Sequence, residues 1–452
     1  MFNYSALGTS VKRPEKPEDH LALRQIMSSR WEQIRDFPKR PAEEMEKWQL
    51  ARVAELVDNA YENVPLYREK YGKAGFRPGE IRSWTDFEAL PILHKTELIE
   101  GFPEKTVSSR HGMEFTTRSS GSSGQFVTLV VSPEAVYEDT VQGARQFFTQ
   151  SGGEYGPSDK VLHIYTCPWW VSSIDGQYET EFLPTTTPIP EAIGEIRRIR
   201  PKILSLYPTY LKALAEEDAD LKGAGVSLVV IHSEQSSAKE RKALSEQFGI
   251  PVRDEFSSEE LTRIALECPE GKYHLEEDAC RIEIMDPGEM ARKMPDGEMG
   301  VVIGTNLLNE ATPIIRYFQG DYASLTGNTG CGCKSNFREL SAPAGRRMDS
   351  IITPSGLAVP AGAFMDLAYN WYLDSGVPVH GLKYRIVQDA GGDVCVNIVP
   401  GKYAFDERMQ ATVRESMYSL LPREMNVSVN VTDALPEIRG TKNRPVVSNY
   451  RK

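Results

Sequence analysis

A run of small hydroxyl residues and glycines lies between two predicted strands and consists of Ser119, Ser120, Gly121, Ser122, Ser123 and Gly124. Glycines let backbone N–H groups come close to phosphate oxygens, and serine hydroxyls add further donors. The run lacks the Gly-Lys-Ser/Thr ending of a Walker A loop. It therefore indicates either a cradle for a triphosphate or, as the alternative, a flexible hairpin loop.

Three cysteines and a histidine form a second group with ligand chemistry. Five residues separate Cys268 from His274 on one predicted hairpin, and Cys331 and Cys333 flank a single glycine on another. Three thiolates and an imidazole satisfy tetrahedral zinc, and a closed site of this kind is structural. Unrelated buried cysteines with a surface histidine are the alternative, and Cys280 is a candidate replacement for one ligand. We predict a zinc site that pins two hairpins together.

Four further strings follow the Ser/Gly run in the chain, and each contains a charged residue beside a strand or turn. They are residues 254–260, ending in Glu259 and Glu260; residues 314–321, ending in Asp321; residues 345–349, containing Arg346; and residues 440–444, containing Lys442. Each string alone is a weak signal, and their order along the chain carries more information.

The elements that would position these strings follow a clear pattern. Strands at 126–131, 160–165, 202–206 and 227–231 alternate with helices at 133–150, 188–198, 209–217 and 237–248, and an amphipathic helix at 43–64 precedes them. Such alternation predicts a mainly parallel sheet with crossover helices. Residues 262–345 instead predict short antiparallel strands in a barrel-like part. The tail predicts a small α+β unit with helices at 361–371 and 405–420.

Taken together, the strings resemble the adenylate-forming enzymes, also called the acyl-CoA synthetase superfamily. Residues 63–68 and 90–95, together with Asp86 and Phe87, resemble the phenylacetate–CoA ligase branch in particular. The resemblance implies an α/β fold with a large N-terminal domain, residues 1–345, that binds ATP and the acid. A mobile C-terminal α+β domain, residues 346–452, would rotate between half-reactions about residues 346–349.

The resemblance also implies roles for individual residues at the nucleotide. The Ser/Gly run would hold the β- and γ-phosphates, although Gln125 stands where most relatives have lysine. Phe256 would stack on adenine beside Ser257, Ser258 and Glu259, and Ser257 replaces the usual glycine. Glu260 would hold Mg²⁺. Asp321 would accept hydrogen bonds from the ribose hydroxyls, and Arg346 would bind ribose or phosphate.

Lys442 is the predicted catalytic lysine. Its ammonium would bridge the acid carboxylate and the α-phosphate and neutralise the charge that builds during displacement. In this chain Thr441 separates it from Gly440, which interrupts the usual Gly-Lys pair. An inert lysine of an exposed tail is the alternative.

The acid pocket would be lined by segments after two of the parallel strands, with Tyr207 nearby. Those segments contribute Tyr165, Cys167, Trp169, Trp170, His232, Ser233 and Glu234. Aromatic walls suit a planar aryl acid, but the same rings also suit core packing. His232 would contact substrate or serve as a satisfied structural histidine.

The composition is that of an ordinary globular protein of 452 residues, and such a length favours more than one domain. A net charge of −12 disfavours binding to nucleic acid or to an anionic membrane. Six scattered cysteines and an N-terminal stretch without an apolar core predict a cytoplasmic protein.

The expected reaction is therefore ATP-dependent conversion of a carboxylic acid to acyl-AMP with release of pyrophosphate, followed by transfer to CoA. Adenylation motifs do not specify the acceptor, so a carrier-protein thiol, an amine or a cofactor hydroxyl stays open. The alternative from another class is a non-catalytic binding module that retains the fold, and a homodimer is an open alternative to a monomer.

Overall fold

The computed structural model of the protein describes residues 15–113, 115–119, 126–437 and 442–450. The helices are α1 Pro17–Asp36, α2 Ala42–Asn63, α3 Pro65–Lys73, α4 Trp84–Glu88, α5 Lys95–Gly101, α6 Pro133–Gln150, α7 Ile189–Ile199, α8 Pro208–Glu216, α9 Ala238–Phe248, α10 Ala361–Ser375 and α11 Glu407–Met417. Within these ranges, every helix falls short of the length and apolarity needed to cross a bilayer.

The strands are β1 Phe115–Arg118, β2 Thr128–Val131, β3 Val161–Tyr165, β4 Thr180–Pro184, β5 Ile203–Leu206, β6 Leu228–His232, β7 Val252–Ser258, β8 Thr262–Glu267, β9 Tyr273–Leu275, β10 Cys280–Met285, β11 Gly300–Asn306, β12 Tyr317–Ala323, β13 Leu325–Thr326, β14 Glu339–Leu340, β15 Ile351–Ile352, β16 Ala358–Val359, β17 Lys383–Gln388, β18 Val394–Val399, β19 Val427–Val431 and β20 Val446–Ser448.

One mixed sheet forms the centre of the molecule, with the order β13-β14-β9-β8-β7-β6-β5-β3-β4. The half from β4 to β7 is parallel, and the half from β7 to β13 is antiparallel. The predicted alternation of strands and helices from 126 to 248 is confirmed. Because parallel strands end at the same sheet edge, the segments after β3, β5, β6 and β7 come together there.

Local sequence sets the ends of the crossover helices. The Oγ of Ser237 accepts a hydrogen bond from the backbone N–H of Glu240 at the start of α9, and the Glu240 side chain completes the capping box. Gly249, with φ of 65°, ends the helix in the left-handed region. These two residues place α9 directly after the functional segment that follows β6.

The region predicted to be antiparallel divides into two parts. Strands β8, β9, β14 and β13 extend the central sheet, while β10, β11 and β12 form a separate three-stranded sheet. Between α9 and α10 the described chain contains no α-helix, as predicted.

The tail forms its own sheet, of order β19-β18-β17-β20. Its core residues, such as Trp371, Ile386 and Val396, join the cluster that contains Leu204 and Ile231 of the central sheet. The predicted tail helices and strands are confirmed, and β20 adds one strand after the segment that carries Lys442.

Several elements were not predicted, among them α1, α3, α4, α5 and β4. Helix α1 packs its buried Leu23 and Ile34 in a cluster with Val141 and Phe147 of α6. Strand β4 is the last strand of the parallel half and pairs with β3.

Candidate active site

A cleft of about 620 Å³ opens between the central sheet edge and the tail. Most of the predicted nucleotide-site residues line it, namely Ser119, Phe256, Ser257, Ser258, Glu259, Glu260, Asp321, Arg346 and Lys442. Residues 120–124 of the Ser/Gly run, with Gln125, Gly440 and Thr441, lie outside the described residues. Residues far apart in sequence thus converge on one cleft, as the order of the strings predicts.

The acidic residue of strand β12 and the arginine of the predicted hinge are neighbours. Asp321 and Arg346 form a backbone bridge, and Arg346 Nε lies 4.0 Å from Asp321 Oδ1. Burial raises the pKa of Asp321, and the Arg346 guanidinium opposes that rise. A carboxylate held in this way can accept hydrogen bonds from a diol.

Glu260 follows β7 and is held from two sides. Tyr317 Oη donates to Glu260 Oε1 at 3.2 Å, and Asn306 Nδ2 donates to the Glu260 backbone carbonyl at 3.1 Å. Ser257 lies in β7 without the positive φ that would favour glycine, so the backbone there accepts a side chain without strain. A buried carboxylate at the cleft suits a hard divalent cation.

Lys95 is a cleft residue to which the sequence assigned no role. It is the first residue of α5 and lines the cleft. Burial lowers the pKa of Lys95, whereas the nearby Glu260 carboxylate raises it. The signal that could have found it is its place in the string 90–95, which carried the family resemblance.

Lys442 lies between β19 and β20 and lines two cavities, the large cleft and a smaller pocket. Burial lowers the pKa of its ammonium, as does Arg346, while Glu259, Glu234 and Glu260 raise it. The ammonium therefore stands at the junction of the two cavities among three carboxylates.

Hydrogen bonds and an ion pair fix the segment that carries Lys442. Arg385 of β17 donates from Nε to the Arg444 carbonyl at 3.1 Å, and its other nitrogens reach the Pro436 carbonyl and the Asn443 side chain. The Asn443 backbone N–H donates to Glu234 Oε1 at 2.8 Å, and Arg444 pairs with Asp349. The chain is therefore held in place both before and after Lys442.

The smaller pocket has a volume of about 200 Å³ and adjoins the first. The lining residues common to both cavities are Ser233, Glu255, Ser257, Ser258, Glu259 and Lys442. Most of the residues predicted to contact the acid line it, namely Tyr165, Cys167, Trp169, Trp170, His232 and Ser233. Glu234 instead lines the large cleft, where its Oε2 accepts hydrogen bonds from Thr209. Tyr207 packs against Tyr165 with ring centroids 5.4 Å apart.

The pocket also contains charged residues that sequence reasoning missed. Asp139 of α6 and Arg263 of β8 form an ion pair in its wall, and Glu255 of β7 lies beside them. The Thr117 hydroxyl donates a hydrogen bond to Glu259. These side chains make the pocket much more polar than its tryptophans suggest.

The predicted zinc ligands come together: His274 lies in β9, Cys268 follows β8, and Cys331 and Cys333 lie between β13 and β14. One ligand atom from each of Cys268, His274, Cys331 and Cys333 lies within 4.8 Å of the others. His274 Nε2 lies 3.2 Å from Cys333 Sγ, and its Nδ1 lies 3.2 Å from the Phe337 carbonyl. Cys280 is outside this group, because its Sγ faces the carbonyls of Arg263 and Ile264.

No family model matches the chain. It is 28% identical over 329 residues to the phenylacetate-coenzyme A ligase of Escherichia coli, covering 69% of this chain and 73% of that one. It is 27% identical over 331 residues to the enzyme of that name from Thermus thermophilus, covering 69% and 72%.

A solved structure of 2-hydroxyisobutyryl-CoA ligase in the postadenylation state superposes with a TM-score of 0.74 at 19% identity, over 91% of both chains. The same enzyme in the thioesterification state gives a TM-score of 0.59. By sequence, then, this chain is similar to the phenylacetate-coenzyme A ligases, and it has the fold of the adenylate-forming CoA ligases.

Proposed function

We propose that this chain is an AMP-forming acid–CoA ligase, which activates a carboxylic acid with Mg-ATP and transfers the acyl group to the thiol of CoA. The observation that carries the proposal is the position of Lys442 at the junction of the large cleft and the smaller pocket. One cation thus reaches a nucleotide in the first cavity and an acid in the second.

In the first half-reaction a carboxylate oxygen attacks the α-phosphorus of ATP. The bond from that phosphorus to the bridging oxygen breaks, and pyrophosphate leaves with the electron pair. Lys442 neutralises the negative charge shared by the carboxylate and the α-phosphate as they approach. Its lowered pKa reflects burial, and an incoming anion offsets that effect.

The nucleotide is placed by the residues that line the large cleft. Phe256 stacks on adenine, Asp321 accepts hydrogen bonds from the ribose hydroxyls, and Arg346 binds ribose or phosphate. Residues 119–124 hold the β- and γ-phosphates. Gln125 carries no positive charge, and Lys95 supplies a positive charge to the phosphates instead. Glu260 holds Mg²⁺, which neutralises phosphate charge when bound.

In the second half-reaction the sulfur of CoA attacks the acyl carbon, the carbon–oxygen bond to AMP breaks, and the thiol proton is released. The tail, from residue 346, rotates about residues 346–349. This rotation removes Lys442 from the cleft and gives the thiol of CoA access to the acyl-AMP. The present arrangement, with Lys442 in the cleft, corresponds to the adenylation state. Its higher TM-score against the postadenylation structure supports that assignment.

The group of Cys268, His274, Cys331 and Cys333 holds a structural zinc ion in this proposal. The Phe337 carbonyl accepts the Nδ1 proton of His274, which leaves Nε2 free to face the thiols. The site has four protein ligands and no open position, so it ties β9 to the segment after β13 and takes no part in catalysis.

The test of the second half-reaction follows AMP and acyl-thioester formation with ATP, a panel of carboxylic acids, and CoA present or absent. We expect AMP and thioester in equal amounts, and both should depend on CoA. AMP release that is the same without CoA, but rises with a phosphopantetheinylated carrier protein or an amine, would reassign the acceptor.

A further inference from the structure

The smaller pocket is unusually rich in carboxylates for a site that receives an acid. Asp139, Glu255 and Glu259 all line it. Burial raises the pKa of Asp139, and the nearby Glu255 carboxylate raises it further. Such a cluster is unfavourable unless something positive or hydrogen-bond donating lies against it.

Each of the three carboxylates has acceptor capacity left over. Asp139 accepts from Arg263 through Oδ1, Glu255 accepts from Gln146 through Oε2 at 2.6 Å, and Glu259 accepts from Thr117 through Oε2. Among the described residues, the other oxygen of each carboxylate makes no hydrogen bond. A carboxylate accepts through both oxygens, so one acceptor oxygen per residue is available to a ligand.

The two cations of the pocket do not fill this role. Arg263 already donates from Nη1 to Asp139 and from Nε to Gln146 Oε1 at 2.6 Å. Lys442 faces the reacting carboxylate in the proposed mechanism. The remaining acceptors therefore call for a donor supplied by the ligand.

A buried histidine in the same pocket points to a ligand independently. His232 is 5% exposed, and its Nε2 has no hydrogen-bond partner among the described residues. Its Nδ1 lies 3.0 Å from Ser233 Oγ, and its ring stacks on His163 with centroids 5.3 Å apart. A buried polar atom without a partner is destabilising by itself, which is expected where a substrate supplies the partner.

His232 is uncharged near pH 7, which suits an uncharged hydrogen-bonding group on the ligand. Burial lowers the pKa of its imidazole to about 4, with the Glu255 carboxylate opposing that shift and Lys442 adding to it, so the ring is neutral near pH 7. A neutral imidazole offers either a donor or an acceptor at Nε2, depending on the Ser233 hydroxyl. A hydroxyl or an amine on the ligand satisfies either tautomer.

We propose that the acid carries a hydrogen-bond-donating substituent, a hydroxyl or an amino group, which Asp139, Glu255, Glu259 and His232 recognise. The tryptophans Trp169 and Trp170 pack against its apolar part. This inference rests on the proposed function and narrows its substrate class. An acid with an acceptor-only or purely apolar group would leave the carboxylates without a partner, so it would be rejected.

The test compares matched acids in acid-dependent pyrophosphate exchange. All acids of one set share a carbon skeleton, which is aryl or aliphatic. They differ at one position, which bears hydrogen, hydroxyl, amino or methoxy. Methoxy matches hydroxyl in acceptor character and lacks the donor. We expect kcat/KM for the hydroxyl or amino member of the best set to exceed that of the methoxy and unsubstituted members by about tenfold or more.

Two variants identify the residues responsible. The preference is the ratio of kcat/KM for the donor-bearing acid to kcat/KM for the unsubstituted acid, measured within each variant. His232→Phe and the near-isosteric Glu259→Gln should each reduce this ratio by about tenfold. Glu191→Gln, on the exposed surface of α7, is the matched control and should leave the preference unchanged. If the His232→Phe variant does not fold, the Glu259→Gln variant carries the test.

The outcomes distinguish failure of the substituent preference from failure of the ligase function. Equal kcat/KM for donor-bearing and methoxy acids, or a preference for the unsubstituted acid, would overturn the inference and leave the ligase function intact. A donor preference that both variants retain would also overturn it. Exchange with none of the acids would instead contradict the proposed function.

Discussion

Burial controls the chemistry of the single residues at the acid pocket, and His232 illustrates it. The imidazole is surrounded by the rings of His163, Tyr165 and Tyr207. Water cannot solvate the charged form there, so protonation is unfavourable in the folded state. His163, which lies beneath it, has its pKa lowered well below the usual range for the same reason.

This burial predicts a loss of stability in acid. The pKa of His232 is about 4 in the folded chain against 6.5 for the ordinary side chain. As pH falls from 6.5 toward 4, the unfolded chain gains a proton that the folded chain does not, so the free energy of unfolding decreases, by roughly 3 kcal/mol at most for this residue. Urea unfolding at a series of pH values measures the effect.

The matched variant is His232→Phe, which removes the titrating group and keeps a ring. Its free energy of unfolding should fall less steeply between pH 6.5 and 4 than that of the unchanged protein. His111→Phe is the control and should keep the original slope. An unchanged slope in the His232→Phe variant would show that the imidazole is not desolvated.

At the residue scale the sequence predicted the lining of the large cleft better than that of the smaller pocket. Asp321, Arg346 and Lys442 were identified by short strings, because each string has a fixed chemical role in the family it resembles. Asp139 was missed, since an acidic residue in an amphipathic helix usually faces water. It lines the pocket only because α6 packs on β8 and brings Arg263 against it.

At the scale of elements, apolar periodicity predicted the helices and strands whose packing gives them a regular buried face. Strands β5 and β6 are fully buried apolar runs and α9 is capped at both ends, so the bounds of most elements were predicted to within about two residues. Helix α1 was missed because few of its 20 residues are buried. Strand β4 was missed because it is half-buried at a sheet edge and ends in a proline.

The zinc site is a prediction about the elements β8 to β14. Purified protein should contain about one zinc per chain, since four ligands converge with closed geometry. Removing the metal with a chelator should lower Tm because the ion links strands that lack other covalent ties. Elemental analysis and a thermal melt measure both.

Cys331→Ser should lose most of the zinc, whereas Cys395→Ser, whose thiol lies near Asn397, should keep it. Metal-free protein of unchanged Tm after mild purification would contradict the assignment.

Arg385 of β17 helps to hold the loop between β19 and β20 in place. Arg385 holds the carbonyls of Pro436 and Arg444, which lie on either side of Lys442. Arg385→Met should let the ammonium drift from the junction of the two cavities and lower the adenylation rate by about 100-fold. Thioester formation from preformed acyl-AMP should change little, because Lys442 acts only in the first step.

Arg408→Met, on the exposed face of α11, is the control for this experiment. Equal losses in both half-reactions of the Arg385→Met variant would mean that Arg385 supports the tail as a whole and does not position Lys442.

At the scale of the whole molecule, the cleft is complete only while the tail is docked. Asn443 of the tail contacts Glu234, and Lys442 lines the cleft beside it. Buried apolar residues of the tail, such as Trp371 and Ile386, also join the core cluster of the central sheet. No residue pattern predicts such a docked arrangement, because the contact between Asn443 and Glu234 joins segments 209 residues apart. The sequence predicted the division at residue 345, and that division stays a prediction.

Restricting the hinge should separate the two half-reactions. Arg346 is extended, with φ of −77° and ψ of 142°, and Arg347 begins a short helical turn, so a proline at 347 fits the present arrangement. Arg347→Pro should therefore retain adenylation and lower thioester formation by about tenfold or more, because the backbone can no longer rotate there. Arg347→Ala controls for loss of the side chain. Thioester formation that is equal in the two variants would place the rotation elsewhere.

Exchange of labelled pyrophosphate into ATP, measured across aryl and aliphatic carboxylic acids, is the most direct test of the proposed adenylation because it needs no acceptor. We expect acid-dependent exchange that falls about 100-fold or more in Lys442→Met and is unchanged in Lys402→Met, an exposed lysine of the tail. Exchange that is independent of every acid tried, or equal in the two variants, would show that the chain does not activate an acid through Lys442.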